Sequence, residues 1–283
     1  MTVDLLEGLA GTVGGALTED AADRDITTQG LIDPSVQGKG EFLAKANGVL
    51  AGLPVAREVF TQVDAGLAFT PLMKDGESLI HGTVFASVSG SLASILSGER
   101  VALNFLQHLS GIATAANTYV QAVSGTGAVV LDTRKTTPGL RKLEKYAVGM
   151  GGATNHRMDL SDGLLIKDNH LQALRGQGWN MARILEQARK GSPPSATVEV
   201  EVTSVAEARE AIDAGAEIIL LDNMSFAEMR EAVAAASGRC KTEASGGITL
   251  ETVRQVAETG VDFISVGALT HSVKALDISL EVL

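Results

Sequence analysis

From about residue 128 onward the chain alternates between two hydrophobic patterns. Short runs of β-branched and aliphatic residues at 128–132, 163–167, 197–202, 217–222, 240–245 and 262–266 read as strands. Between the later runs, apolar residues recur at helical spacing. Val205, Ala208 and Ile212 follow a Thr203-Ser204 cap, Phe226, Met229 and Val233 follow Ser225, and Val253 and Val256 follow Thr249. Gly215, Gly238 and Gly260 close these three helices. The later strands recur about every 20 to 23 residues, the length of one βα unit with short loops. Strands that are continuous apolar runs suit a parallel sheet covered on its faces by helices. Polar residues stand at the C-terminal end of every strand and no glycine triplet follows the first. A barrel, closed or nearly closed, is therefore expected in preference to a doubly wound sheet.

Upstream the pattern changes. The first ~100 residues hold short mixed segments, 47–53, 54–60 and 79–88, which predict an α+β region with a small antiparallel sheet. Val101, Phe105, Leu109, Ile112, Ala116 and Val120 then fall on one stripe and predict a long joining helix, its start carrying Glu99 and Arg100.

Composition narrows the class. A chain of 283 residues corresponds to about two domains of ordinary size. Hydrophobic residues at 45% and charged residues at 20% belong to a folded chain and exclude disorder, while aromatics at 4% leave little for a binder that relies on stacking. With 23 bases against 34 acids the formal charge is −11, which opposes nucleic acids and anionic membranes. Small anions would be repelled too, unless bases are concentrated somewhere. Cys240 is the single cysteine, so an intrachain disulfide and any CxxC motif are excluded. The start MTVDLLEGLA has neither a basic n-region nor an apolar run, and no segment approaches the ~18 apolar residues of a membrane span. The cytoplasm is the expected compartment, and the Asn223-Met224-Ser225 sequon is then a chance match.

The concentration of bases exists. Between 132 and 145, Arg134, Lys135, Arg141, Lys142 and Lys145 stand against only Asp132 and Glu144, directly after a predicted strand. Arg offers a planar fork for carboxylate or phosphate and Lys a point charge. A charge run alone is more often a solvated loop, but the end of a barrel strand is where sites are built. Gly151-Gly152 precede a second block, His156-Arg157, whereas His81 and His108 read as structural. Lys167 ends a buried strand and must face a polar cavity or pair with an acid, Glu199 or Glu201. Glu199 and Glu201 alternate with valines, so both face the barrel interior if the valines face the helices. With Asp222 they suit Mg²⁺ ligation, ribose hydroxyls, or pairing with the lysines. Ser245-Gly246-Gly247 and Gly267 end the last two strands, and such turns either bind phosphate or merely turn the chain. His271 assists there or packs at a domain junction. No Walker A, GxGxxG, GxSxG or HExxH occurs, so transfer between bound anions by positioning and electrostatics is the expected chemistry.

The segments 98–114, 131–148 (LDTRKTTPGLRKLEKYAV), 155–158 (NHRM), 165–170 (LIKDNH), 198–202, 219–223, 244–248 and 266–272 together resemble the quinolinate phosphoribosyltransferases, the carboxylating nicotinate-nucleotide pyrophosphorylases of NAD biosynthesis. The resemblance implies an N-terminal α/β sandwich domain over 1–105, with the tail 272–283 packed back on it, and an incomplete parallel α/β (TIM-like) barrel over 106–271. It implies a homodimer whose active sites each borrow Arg100 from the partner. Arg134, His156, Arg157 and Lys167 would hold the quinolinate carboxylates, and Lys135 both substrates. Glu201 and Asp222 would stand at the ribose and Mg²⁺, and Ser245, Gly246, Gly247, Gly267 and His271 at the 5′-phosphate. Ala153 and Asp159 stand where the family pattern has glycine. The rivals are a molybdenum-transport paralogue, which differs at DTRKTTP and IKDNH, and a catalytically silent anion-binding protein, which intact Lys135, Lys167, Glu201 and Asp222 argue against.

Overall fold

The structure, a computed structural model, describes residues 8–193 and 196–283, so the expectation about a leader, which falls on residues 1–7, lies outside it. The chain divides into two compact units. The first is Met1–Asn117, Thr136–Gly152 and Leu269–Leu283, and the second is Thr118–Lys135 and Ala153–Ala268.

In the first unit, β1 (Gln37–Ala44), β3 (Ala68–Pro71), β5 (Val84–Ser91) and β12 (Ile278–Val282) form an antiparallel sheet in the order β12-β1-β5-β3. A small ribbon pairs β2 (Gly48–Val49) with β4 (Ser78–Leu79). The C-terminal strand reaches the sheet through the register Gly40↔Val282 to Ala44↔Ile278. One face of the sheet carries Phe42, whose ring meets Phe60, Phe69 and Phe85 with centroids about 6 Å apart, an arrangement favoured by edge and offset contacts. Phe60 comes from the helix Leu53–Val63, whose Val55, Ala56, Val59 and Phe60 are buried. The segment 54–60 is thus helical, with Pro54 in the first turn, where its missing N–H costs nothing.

The stripe from Val101 to Ala116 is buried on the helix Leu92–Ala122, with Val120 half-buried. The helix starts earlier than the expected Glu99-Arg100, because β5 runs straight into it and Ser91 Oγ accepts from the Ser94 N–H. The boundary at 105/106 falls inside this helix.

In the second unit six parallel strands, β6 (Val129–Leu131), β7 (Leu164–Ile166), β8 (Val198–Val202), β9 (Ile218–Asp222), β10 (Lys241–Ser245) and β11 (Phe263–Ser265), lie in the order β6-β11-β10-β9-β8-β7. Among the described residues β6 and β7 are not paired with each other, so the barrel is open along one seam. The free side of β6 takes only an isolated bridge, Leu131 with Thr154. The helices between strands start as their sequences direct. Ser204 Oγ accepts from Glu207 N, and Ser225 and Glu228 form a reciprocal capping box. The third begins at Val253 without a side-chain cap, because Thr249 is used in a turn closed by Thr252 Oγ1.

Register and the two-residue side-chain period assign the faces. Glu201, Leu220, Glu243 and Phe263 align across four strands, as do Asp222 and Ser245 one step further along. Val200, Val202, Ile219, Leu221, Ala244 and Ile264 occupy the opposite face and are buried. The apolar face is the one covered by helices, and the carboxylates share the interior face, as the Glu-Val alternation predicts.

Candidate active site

The site is built at the C-terminal ends of the second unit's strands. After β6, Asp132 is fully buried and its Oδ1 accepts from His156 N at 2.8 Å. Thr154 N donates to Val130 O and Asp132 N to Thr154 O, so 154–156 runs along the free edge of β6. Arg157 then reaches toward the other side of the seam, its Nη1 donating to Gly163 O at 3.1 Å, just before β7.

His156 points inward. Its Nε2 lies 3.3 Å from Glu199 Oε2 on β8 and 3.4 Å from Glu243 Oε2 on β10. Its Nδ1 lies 2.7 Å from Arg157 N and accepts that N–H when the ring is neutral, which leaves the ring proton on Nε2 toward the two carboxylates. Burial alone would lower the His156 pKa, but the hydrogen bonds and charges of Glu199 and Glu243 outweigh it and raise it to about 10. Burial also raises Glu199, so the three groups together hold a proton tightly. Their nearest ligand atoms lie within 4.8 Å of one another, the one His and acid group of that kind among the described residues.

The cations next to this cluster remain polar and poised. Arg157 is half-buried, and its Nε is shielded from solvent with no hydrogen-bond partner among the described residues. Its pKa is lowered, first by burial and also by the charge of Arg134, while Glu199, Asp162 and Glu243 oppose the fall. Two guanidiniums that feel each other's charge are stabilised by an anion between them. Lys135 is exposed, its N–H bound to Thr133 Oγ1 at 3.0 Å. Arg141, Lys142 and Lys145 of the basic run belong to the first unit, where Lys145 is fully buried.

On the next strands, Lys167 Nζ lies 3.6 Å from Glu201 Oε2, so the lysine takes the ion-pair option with Glu201 rather than Glu199. Asp222 Oδ2 accepts from Asn223 Nδ2 at 2.8 Å. Asn223 has φ +53° and binds Ser245 O through its N–H. Ser245 is half-buried, Gly246 has φ +93° and Gly247 φ +60°. A Cβ at Gly246 would strike the Asn223 carboxamide, so that turn demands glycine twice over. Gly267 is half-buried ahead of the short helix Ala268–His271.

Arg100 and His271 belong to the first unit, Arg100 exposed on its helix and His271 exposed with Nδ1 2.7 Å from Ser272 Oγ. The second unit therefore brings together the ends carrying Arg134, Lys135, His156, Arg157, Lys167, Glu201, Asp222, Ser245, Gly246, Gly247 and Gly267. Asp159 is exposed and its carboxylate is used locally by Ser161, whose N–H and Oγ both donate to it. Glu243 was missed by sequence reasoning. Its signal was an acid of the same parity as Ser245 on a strand otherwise buried. Glu201 and Asp222 offer hard carboxylate oxygens on the same interior face, a donor set that fits Mg²⁺ with few protein ligands.

An open parallel α/β barrel with arginines, lysines and carboxylates on the ends of its strands defines an enzyme class that handles small polyanions. Models of the quinolinate phosphoribosyl transferase N-terminal and C-terminal domains match residues 25–110 and 112–281, and the chain belongs to the quinolinate phosphoribosyltransferase family. It is 43% identical over 269 residues to a probable carboxylating nicotinate-nucleotide pyrophosphorylase of Synechocystis sp., covering 94% of this chain and 90% of that protein. Its identity to the corresponding Bacillus subtilis protein is 43% over 264 residues, with 93% and 90% covered. Among solved structures, NadC from Streptococcus pyogenes superposes with a TM-score of 0.93 at 43% identity, covering 100% of this chain and 99% of that one.

Proposed function

We propose that this enzyme transfers the phosphoribosyl group of 5-phosphoribosyl 1-pyrophosphate to quinolinate and decarboxylates the product. Nicotinate mononucleotide, CO₂ and pyrophosphate result, a step of NAD biosynthesis. The observation that carries the reading is Arg157, a half-buried guanidinium with an unfilled Nε beside the charge of Arg134, in a chain of this family.

In this reading Arg134, His156, Arg157 and Lys167 hold the two carboxylates and turn the pyridine nitrogen toward ribose C1, with Lys135 between the two substrates. The C1–N bond forms as the C1–O bond to pyrophosphate breaks, and the ribose becomes oxocarbenium-like. Glu201 and Asp222 stabilise that charge. Glu201 and Asp222 would hold Mg²⁺, and the ion would supply charge neutralisation for the departing pyrophosphate. Loss of CO₂ then leaves the electron pair of C2 beside the pyridinium nitrogen, which acts as the sink. C2 finally takes a proton from solvent. The protein's contribution is to position the dianion and exclude water. Ser245, Gly246, Gly247 and Gly267 support a 5′-phosphate site through backbone N–H groups.

The proposal includes a homodimer in which the partner's Arg100 completes each quinolinate site, and a cytoplasmic enzyme with no nucleic-acid or membrane partner. Among the described residues no helix is long and apolar enough to cross a membrane. The test is chromatography of a reaction with Mg²⁺, the phosphoribosyl donor and either quinolinate or nicotinate. Nicotinate mononucleotide from quinolinate supports the assignment, and product from nicotinate alone overturns the decarboxylating step.

A further inference from the structure

Two glutamates in the interior of a barrel are costly to bury, and neither has been given a part in the reaction. Glu199 and Glu243 are 4% and 1% exposed, and the Oε1 atom of each is shielded from solvent with no hydrogen-bond partner among the described residues. Buried carboxylates in such a state are kept only where something else depends on them. Their other oxygens converge on one atom, His156 Nε2, from β8 and from β10, two strands that are separated in the sheet by β9. The imidazole therefore crosses the barrel interior to the wall facing the seam.

Residues 155–163 span the gap between the two unpaired edge strands, tied to β6 by the Leu131–Thr154 bridge and the Asp132–His156 bond. On the β7 side, Arg157 Nη1 reaches Gly163 O. His156 Nδ1 lies 2.7 Å from Arg157 N, so where the ring is held also bears on where the Arg157 backbone stands.

We propose that Glu199 and Glu243 are positioning residues. Together they clamp His156 Nε2, pin the seam segment into the barrel, and so hold the Arg157 guanidinium where the substrate's carboxylate is received. This rests on the quinolinate reading of the site, which it deepens. The glutamates act through His156 and Arg157 and touch no reacting atom. The clamp needs acceptors of the right length at 199 and 243, so glutamine substitutes in part and alanine does not.

The test uses the full-length enzyme with Glu243→Ala and Glu243→Gln, Glu243 being the glutamate further in sequence from Glu201. Expected for Glu243→Ala is a quinolinate KM raised about tenfold or more, the size of one lost charge-assisted contact. The donor KM should stay within about twofold, since a displaced Arg157 affects one substrate, and Glu243→Gln should recover part of the loss. A folded Glu243→Ala enzyme with an unchanged quinolinate KM overturns the proposal, as does an equal rise in both KM values. Nitrogen NMR of histidine-labelled wild-type enzyme gives a second readout that does not depend on the variant folding. His156 is expected to keep one slow-exchanging Nε2–H, and an Nε2 position that exchanges freely or averages between tautomers contradicts the clamp. Failure of the wild-type enzyme to use quinolinate would instead remove the functional reading, and the NMR result would still decide the clamp.

Discussion

At Arg157 the physical conflict that defines the site is concentrated in one side chain. Burial and the charge of Arg134 press against its ionised form, and Glu199, Asp162 and Glu243 sustain it. A bound dianion relieves that conflict. Arg157→Lys keeps the charge but loses the planar fork, so the quinolinate KM is expected to rise about tenfold, read in steady-state kinetics. The His156 cluster adds a pH dependence to stability. A pKa raised from 6.5 to about 10 gives a contribution that is complete below 6.5 and lost as pH climbs through 10. The thermal midpoint is therefore expected to fall from pH 6.5 toward pH 10, with a shallower fall in His156→Gln. Much at this scale was legible. The Glu-Val alternation placed Glu199 and Glu201 inward, and a lysine at the end of a buried strand had to face a polar cavity or pair with Glu199 or Glu201, of which it takes Glu201. Glu243 was not legible, because one acid in CKTEAS shows no alternation. Its role depends on a histidine far away in sequence.

At the scale of elements, a buried carboxylate fixes the start of the helix Arg141–Met150 against the loop that precedes it. Glu144 is fully buried, with Oε1 2.9 Å from His108 Nε2 and Oε2 accepting from Thr137 N at 3.1 Å. Glu144→Ala leaves that N–H and the imidazole without this partner and is expected to cost about 1–3 kcal/mol, measured by urea unfolding. A second tie joins the same helix to the sheet region. Tyr146 Oη donates to Asp75 Oδ2 at 2.6 Å, while Asp75 accepts from Gly52 N and Leu53 N at the start of the helix Leu53–Val63. Burial raises the Asp75 pKa and also that of Tyr146. Tyr146→Phe should lower stability by about 1 kcal/mol in the same assay. The strands of the barrel were legible to within a residue because most of them are short runs of β-branched and aliphatic residues. The start of the helix Leu92–Ala122 was not, since its first turn is held by Ser91 at the end of a strand rather than by a cap near Glu99. The open seam was legible only through the family resemblance, which implied an incomplete barrel. Strand count and periodicity are the same for a closed ring, and only pairing shows that β6 and β7 stay apart.

For the whole molecule, a charge of −11 would oppose two anionic substrates if it were spread evenly. The fold separates the signs, with the bases that matter at the ends of β6 and β7 and in the segment between them. The proposed dimer adds one more cation from a second chain, and mixing separates this from a site complete in one chain. Arg100→Ala and Lys135→Ala enzymes, each inactive alone, should regain up to about a quarter of wild-type activity after subunit exchange, because half of a random mixture is heterodimer with one intact site of two. No recovery despite exchange would argue for sites complete in one chain. The most direct measurement of the central claim is a single reaction of the purified enzyme with quinolinate labelled in its 2-carboxylate, the phosphoribosyl donor and Mg²⁺, followed for both products. Labelled CO₂ and nicotinate mononucleotide released in equal amounts are expected. Nucleotide that retains the label, or no nucleotide from quinolinate at all, would contradict it.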